Sequence, residues 1–182
     1  MIRLHGSDYP TFAAIVEQPV PPLQQMFADI AVAAACAPER RHRRVAAALL
    51  PYLDLPDLLQ DISCPCSPER YVRHLLHAAE DYTVLALVWR PGQMSPVHGH
   101  RSWCALGIHR GSMTEMQFTP GAQGPVPRSC VQLEVGDISH APPEPDAIHR
   151  LANLGTETAI SIHVYGARYD RLGQEVNQVW AA

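Results

Sequence analysis

The sequence predicts a mainly β protein, a sandwich or barrel, with α-helices at its N-terminal end. Three observations carry this expectation: an apolar stripe at helical spacing early in the chain, a change to β-branched and aromatic runs at Tyr82, and a series of short apolar runs separated by turn residues beyond it. A chain of 182 residues, close to half of them apolar, suffices for one domain with a substantial core. We read it as a helical part over about 1–66 and a β part over about 69–170.

Leu23, Met26, Phe27 and Ile30 recur on one helical face just after Pro21-Pro22, a helix start signal. A second helix is expected from about Pro38 to Leu50. The run Arg40-Arg41-His42-Arg43-Arg44 falls in its first turns and reads as a solvated helix face, since no aromatic or glycine interleaves with it. Packing over one face of the β part is the expected use of these apolar stripes. Ser67-Pro68-Glu69-Arg70 has the look of a helix cap, while Tyr71-Val72-Arg73-His74-Leu75 also suits an extended strand; both readings stay open.

The β part opens with Tyr82 to Trp89, closed by Pro91-Gly92. Further strands are expected at Trp103 to His109, Met113 to Phe118, Cys130 to Val135 and Thr158 to Tyr165, with a loop over 120–127.

Charge and composition exclude several classes. A formal net charge of −4 gives no field for nucleic acid or anionic lipid. The first residues, Met1 to Asp8, lack the apolar core of a signal peptide, and no stretch approaches the ~20 apolar residues of a membrane span. The expected protein is soluble and cytoplasmic, with no nucleic-acid or membrane partner; oligomeric state is not legible. Five cysteines, an odd number, argue against a disulfide framework, and Cys64-Pro65-Cys66 reads as structural thiols because no second pair at zinc spacing matches it.

The chemistry concentrates in two segments. In Pro96-Val97-His98-Gly99-His100 the two histidines, on a strand, point to the same face and can reach one ion. Ile148-His149-Arg150, about fifty residues on, supplies a third imidazole if the fold brings it alongside. Three protein ligands leave coordination positions open, as catalytic metal sites do.

Gly92, His98, His100 and Gly111 are spaced as in the first cupin motif, with Cys104 where that motif has a glutamate. Gly136, Pro142, His149 and Asn153 resemble the second motif, although Pro143-Glu144-Pro145 replaces its P-x-G turn. The resemblance implies a cupin double-stranded β-helix barrel with a metal in its mouth, within one domain. The missing carboxylate matters: three neutral imidazoles leave an Fe(II) ion its full charge, and a metal of that charge favours an anionic ligand such as a thiolate.

Tyr71-Val72-Arg73, His98-Gly99-His100, Cys104, His149-Arg150 and Ser161-Ile162-His163-Val164-Tyr165 look like their counterparts in the cysteine dioxygenase family, a similarity running from about Tyr71 to Asp170. It implies an oxidoreductase that uses O₂ as co-substrate to oxidise a small thiol, L-cysteine, to a sulfinate at one Fe(II) per chain. His98, His100 and His149 would bind the metal. Arg73 would pair with the substrate carboxylate, with Tyr71 and Tyr165 contributing to substrate binding, and Ser161, His163 and Tyr165 would form the catalytic hydrogen-bonded set. Cys104 looks like the cysteine that forms a thioether to the tyrosine in mammalian members, here Tyr165. Trp103 resembles a feature of bacterial 3-mercaptopropionate dioxygenases, but Arg73 stands where those usually have glutamine. Arg168 is an alternative contact for a carboxylate. His74, His77, His109 and His140 have no family role and read as surface or hydrogen-bonded histidines. Two alternatives accompany this expectation: a dioxygenase for 3-mercaptopropionate or another small thiol acid, and a non-catalytic cupin that binds a metal and a small molecule.

Overall fold

The computed structural model describes residues 20–144, 146–175 and 177–180, so the expectation for Met1 to Asp8 and the Pro145 position of the second motif lie outside the described residues. Helix α1 spans Pro22–Ala34 and buries Leu23, Met26, Phe27, Ile30 and Ala34, the stripe read from the sequence. A 3₁₀ turn at Pro38–Arg40 leads into α2, Arg41–Leu49, and another at Leu50–Tyr52 follows it, so the expected second helix is a central α segment with tightened ends.

Ten strands follow, with a short helix before the last. They are β1 Val72–Ala78, β2 Thr83–Trp89, β3 Val97–His100, β4 Cys104–Arg110, β5 Met113–Thr119, β6 Val126–Leu133, β7 Ile138–Ala141, β8 Ile148–Ala152, β9 Ala159–Tyr165, α3 Leu172–Glu175 and β10 Asn177–Trp180. They form two antiparallel five-stranded sheets, ordered β1-β2-β9-β4-β7 and β10-β3-β8-β5-β6. The open choice at Tyr71 to Leu75 resolves to strand. Two expectations are corrected: β6 begins at Val126, inside the stretch read as loop, and it ends at Leu133. Its first seven residues are exposed, so apolar alternation could not mark it.

The centre of the first sheet is buried on both faces, and all seven residues of β2 are buried. One face meets the second sheet across a core of Leu85, Leu87, Trp89, Leu106, Met113 and Leu151. On the other, Val84, Ala105, Ile162 and Val164 pack with Met26, Ile30, Val45, Leu49 and Leu53, so the helices cover this sheet as expected. Leu49 is fully buried at that seam. Leu49→Ala removes about three methylene equivalents and leaves a cavity, and should cost about 3 kcal/mol of unfolding free energy; urea denaturation measures it, with an unchanged slope on denaturant marking a simple packing loss.

Turn chemistry fixes the motif glycines. Gly92 and Gly136 hold φ of 83° and 91°, the left-handed region open to glycine without strain. The Gly92 amide donates to the Asn153 carbonyl (2.8 Å), and the Asn153 side-chain amide donates to the Trp89 and Glu157 carbonyls (2.9 and 2.8 Å), tying the end of β2 to the end of β8. Ser95 exchanges bonds with Leu151, its amide donating to the Leu151 carbonyl (2.8 Å) and its Oγ accepting from the Leu151 amide (3.1 Å). These ties set β3 beside β8 and so fix where the histidines meet.

The basic run of α2 is not uniformly solvated. Arg40, Arg43 and Arg44 are exposed, but His42 is buried, its Nδ1 lying 3.0 Å from His140 Nδ1 on β7. Helical periodicity turns this one position inward toward the sheet. Two facing Nδ1 atoms share one proton, so the pair is bonded only while at least one ring is neutral. Burial first, then His140 and Arg43, hold the His42 pKa below the ordinary histidine value, against the Glu39 carbonyl and the Glu144 carboxylate, which favour the charged form. A depressed folded pKa means that the unfolded chain takes up the proton more readily. The stabilisation is therefore complete above about pH 6.5, the unfolded value, and is lost as pH falls below it. Thermal melts from pH 7.5 to 5 should show a steeper fall in Tm for the wild type than for His42→Gln.

Candidate metal centre

His98 and His149 are direct partners across the β3–β8 ladder, and the two-residue period of β3 places His100 on the face of His98. All three are buried, and one ring nitrogen from each lies within 4.8 Å of the others. The rings stand 4.6 to 5.0 Å apart, centroid to centroid.

The surroundings decide which nitrogens converge. His98 Nδ1 lies 3.0 Å from the Pro96 carbonyl and donates to it, leaving Nε2 as the lone-pair nitrogen. His149 Nδ1 donates to the Glu115 carboxylate at 2.7 Å, with the same result. His100 Nε2 lies 2.9 Å from His149 Nε2. Burial first and then His149 push His98 down to about 3, so its imidazole is neutral at any ordinary pH. Three imidazoles, two of them held through Nδ1, with ring nitrogens gathered at one point are the donor set of a three-nitrogen metal site, and the residues present fit one divalent ion.

Glu115, which holds His149, is one of two residues at the site that sequence reasoning missed. It sits on β5, buried, and accepts bonds from His149 and from the Ser139 hydroxyl (3.1 Å). Burial alone would raise its pKa, but His149 and Ser139 outweigh this and hold the carboxyl below its ordinary value, so it remains an anion. The only sequence signal was an acidic residue in an otherwise apolar-alternating strand, at a position whose neighbour in phase, Met113, faces the core.

Ser161, His163 and Tyr165 are buried on one face of β9, while Ile162 and Val164 turn to the helices. The alternation is therefore a polar interior face rather than a solvent face. Trp89, also unforeseen, starts their chain: its indole N–H donates to Ser161 Oγ (2.9 Å), Ser161 Oγ lies 2.8 Å from His163 Nε2, and His163 Nδ1 lies 2.9 Å from the Tyr165 hydroxyl. An indole can only donate, and Ser161 has no other acceptor among the described residues, so its proton goes to His163 Nε2. Burial holds His163 neutral, far below its ordinary pKa. His163 Nδ1 then carries the ring proton and donates to Tyr165, and the Tyr165 O–H proton is free to be donated outward. The Tyr165 ring stands 5.6 Å from that of His100, a member of the histidine cluster.

Cys104 is the direct cross-strand partner of Tyr165. Burial pushes the Cys104 thiol up to about 12, and burial followed by Cys104 raises the Tyr165 phenol, so both are neutral. Tyr71 stacks on Trp89, rings 4.1 Å apart at 21°, and its hydroxyl accepts from Arg73 Nη2 at 2.9 Å. Arg73 is exposed, and its charge contributes to lowering the pKa of His98 and His163.

A cavity of about 420 Å³ opens on His100, Cys104, Glu115 and His149 and is rimmed by Arg128 and His140; Tyr71 and Arg73 line a separate cleft with Glu69 and Arg70. Arg168 is not brought to the histidines; it pairs with Asp170 at 3.1 Å. His109 bonds the Leu53 carbonyl, His74 the Pro65 carbonyl, and His77 stacks on Phe27, the ordinary roles expected. All five cysteines are free. Among the described residues no helix is long and apolar enough to cross a membrane.

Solved structures share this architecture. A Klebsiella pneumoniae protein, described as uncharacterised with a double-stranded β-helix domain, matches at a TM-score of 0.50 and 20% identity over 66% of this chain and 87% of its own. A Thermus thermophilus protein matches at a TM-score of 0.50 and 20% identity over 60% of this chain and 94% of its own. At that identity they establish the fold, the cupin double-stranded β-helix. The family model for cysteine dioxygenase type I matches residues 64–174, which span β1 to β9 and include His98, His100, His149, His163 and Tyr165. With more than half of its length matched, the chain belongs to the cysteine dioxygenase type I family.

Proposed function

We propose that this protein is a thiol dioxygenase that converts L-cysteine and O₂ to cysteine sulfinate at an Fe(II) held by His98, His100 and His149. The observation that carries this reading is the convergence of three imidazoles with no carboxylate among the three, Cys104 standing at the cupin glutamate position. Bound iron would supply a Lewis-acidic centre that lowers the thiol pKa and brings thiolate and O₂ together. Both oxygen atoms end on sulfur, RSH + O₂ → RSO₂H, and no external reductant is required.

The chain's own residues do the rest. The Arg73 fork suits a carboxylate, and Tyr71, held between Arg73 and Trp89, keeps that guanidinium in place. Tyr165 offers its outward O–H to substrate or oxygen, with the Trp89–Ser161–His163 chain fixing the direction of that proton. A thioether between Cys104 and Tyr165 is supported by their cross-strand pairing, since directly opposed Cβ atoms lie about 5 Å apart. A dioxygenase for 3-mercaptopropionate or another small thiol acid is the second reading, favoured by one feature: Arg128, on the 420 Å³ cavity, gives a carboxylate another place to bind.

The test is O₂ uptake by anaerobically Fe(II)-loaded protein offered L-cysteine, 3-mercaptopropionate and mercaptosuccinate in parallel, with sulfinate identified by mass. Cysteine sulfinate in step with uptake supports the reading; silence with all three thiols sinks it in favour of a binding cupin. Arg73→Gln should lower kcat/KM for cysteine about 10- to 100-fold, mostly through KM, the cost of about 1.5–3 kcal/mol for a charge-assisted pair. Unchanged cysteine turnover would remove Arg73 from the carboxylate role.

A further inference from the structure

The loop from metal-binding His100 to Cys104 carries a set of donors that the site above does not use. Arg101, Ser102 and Trp103 line a cavity of about 500 Å³ together with Arg41, Gly166 and Arg168. Arg101 is exposed and has no ion-pair or hydrogen-bond partner among the described residues, and Ser102 Oγ is buried without one. The Trp103 indole lies against Gly166, where any Cβ would meet Nε1 at 2.2 Å, and its N–H finds no acceptor among the described residues either. Three consecutive residues thus bring a solvent-accessible guanidinium, a buried hydroxyl without a partner and an indole N–H to the lining of one cavity, the hydroxyl being the buried orphan among them. Buried polar groups in folded proteins are, as a rule, bonded.

The charge around the cavity selects what would receive them. Three guanidinium groups line it against a single carboxylate, Asp81, which is 3.9 Å from Arg41 Nη1 and more than half exposed. Arg41 Nε is engaged with the Cys36 carbonyl, and Arg168 with Asp170, which is not part of the lining, so each holds its head group at the rim. Water would satisfy Ser102 and Trp103 but would leave the excess positive charge unanswered. An oxyanion satisfies both, accepting from the hydroxyl and the indole while neutralising Arg101.

We propose that this cavity binds a small oxyanion, a ligand bearing a carboxylate, sulfinate or phosphate group, at a site separate from the histidine cluster. It is joined to that cluster at both walls. Arg101 follows His100 directly, and Gly166, whose amide donates to the Trp103 carbonyl at 2.9 Å, follows Tyr165. Occupancy would thus order the two segments that leave a metal-binding histidine and the site's phenol. The proposal does not depend on the thiol dioxygenase reading, because binding is measured without turnover.

The experiment is titration of the full-length protein, without thiol or O₂, with inorganic phosphate, acetate and methanesulfinate separately, at constant ionic strength set by chloride, followed by calorimetry and tryptophan fluorescence. One saturable site with Kd below about 5 mM for at least one of the three is expected, and which one binds identifies the group. Arg101→Ala should weaken it at least ten-fold, whereas Arg44→Ala, on the exposed face of α2, should leave it unchanged. Trp103→Phe, which keeps a ring and removes the N–H, guards against misfolding of any one variant and should weaken binding several-fold with an unaltered circular dichroism spectrum. No saturable binding of any of the three at 50 mM overturns the proposal, as does binding that Arg101→Ala and Arg44→Ala affect equally.

Discussion

His149→Ala should give a folded protein that retains less than a tenth of the wild-type iron after Fe(II) loading and gel filtration, and that oxidises cysteine at least 1,000-fold more slowly. The prediction follows from the position of His149 among the three rings. It is the direct ladder partner of His98, its Nε2 lies 2.9 Å from that of His100, and its Nδ1 is held by Glu115. Removing it leaves an H-x-H pair, two neutral ligands with no charge to offset the cost of stripping water from a divalent ion. The variant also takes from the Glu115 carboxylate its closest partner, leaving it the neutral donors Ser139 and Gln117. Because a buried anion without its partner is destabilising, Tm should fall by several degrees while the circular dichroism spectrum persists. Metal analysis separates the two effects: wild-type iron content with lost activity would mean that His149 is not a ligand.

How much of this was legible in the sequence depends on whether the signal was local. The α1 stripe, the His98–His100 pair and the alternation Ser161, His163, Tyr165 are each spaced by the period of a single element, and the fold places them as that period requires. The strand β7, four residues long and carrying Ser139 and His140, lacks any such period, and β10 follows a short helix with no turn signal of the kind that marked the other strands. Glu115 and Trp89 became functional only through space. Glu115 meets His149 from 34 positions away and Trp89 meets Ser161 from 72, and each is locally unremarkable, a charged residue in a strand and an aromatic at a strand end. His42 escapes a local reading for the complementary reason. Its arginine neighbours suggest a uniform charged face, and only the packing of α2 against β7 shows that one residue in that run turns inward. Motif spacing reached the metal ligands; the groups that orient them are set by sheet register.

Glu115→Ala is therefore the sharper test of whether the second layer of the site governs the first. The carboxylate fixes the His149 tautomer and raises the basicity of Nε2, and partners of this kind typically carry 10- to 100-fold in metal affinity. Truncation leaves the His149 Nδ1–H buried without an acceptor and frees the ring to adopt the other tautomer, in which Nε2 is protonated and useless as a ligand. The expected result is a rise in the Fe(II) dissociation constant of about 100-fold, measured by competition with a chelator, together with slower turnover at subsaturating iron. Glu115→Gln separates geometry from charge, because the amide oxygen still accepts from Nδ1 while the negative charge is gone. An affinity loss of about 10-fold for glutamine against about 100-fold for alanine would divide the effect roughly equally, about 1.4 kcal/mol each, between orientation and electrostatics. Equal, wild-type affinity in both variants would show that His149 is held by its strand alone and that the buried carboxylate is structural.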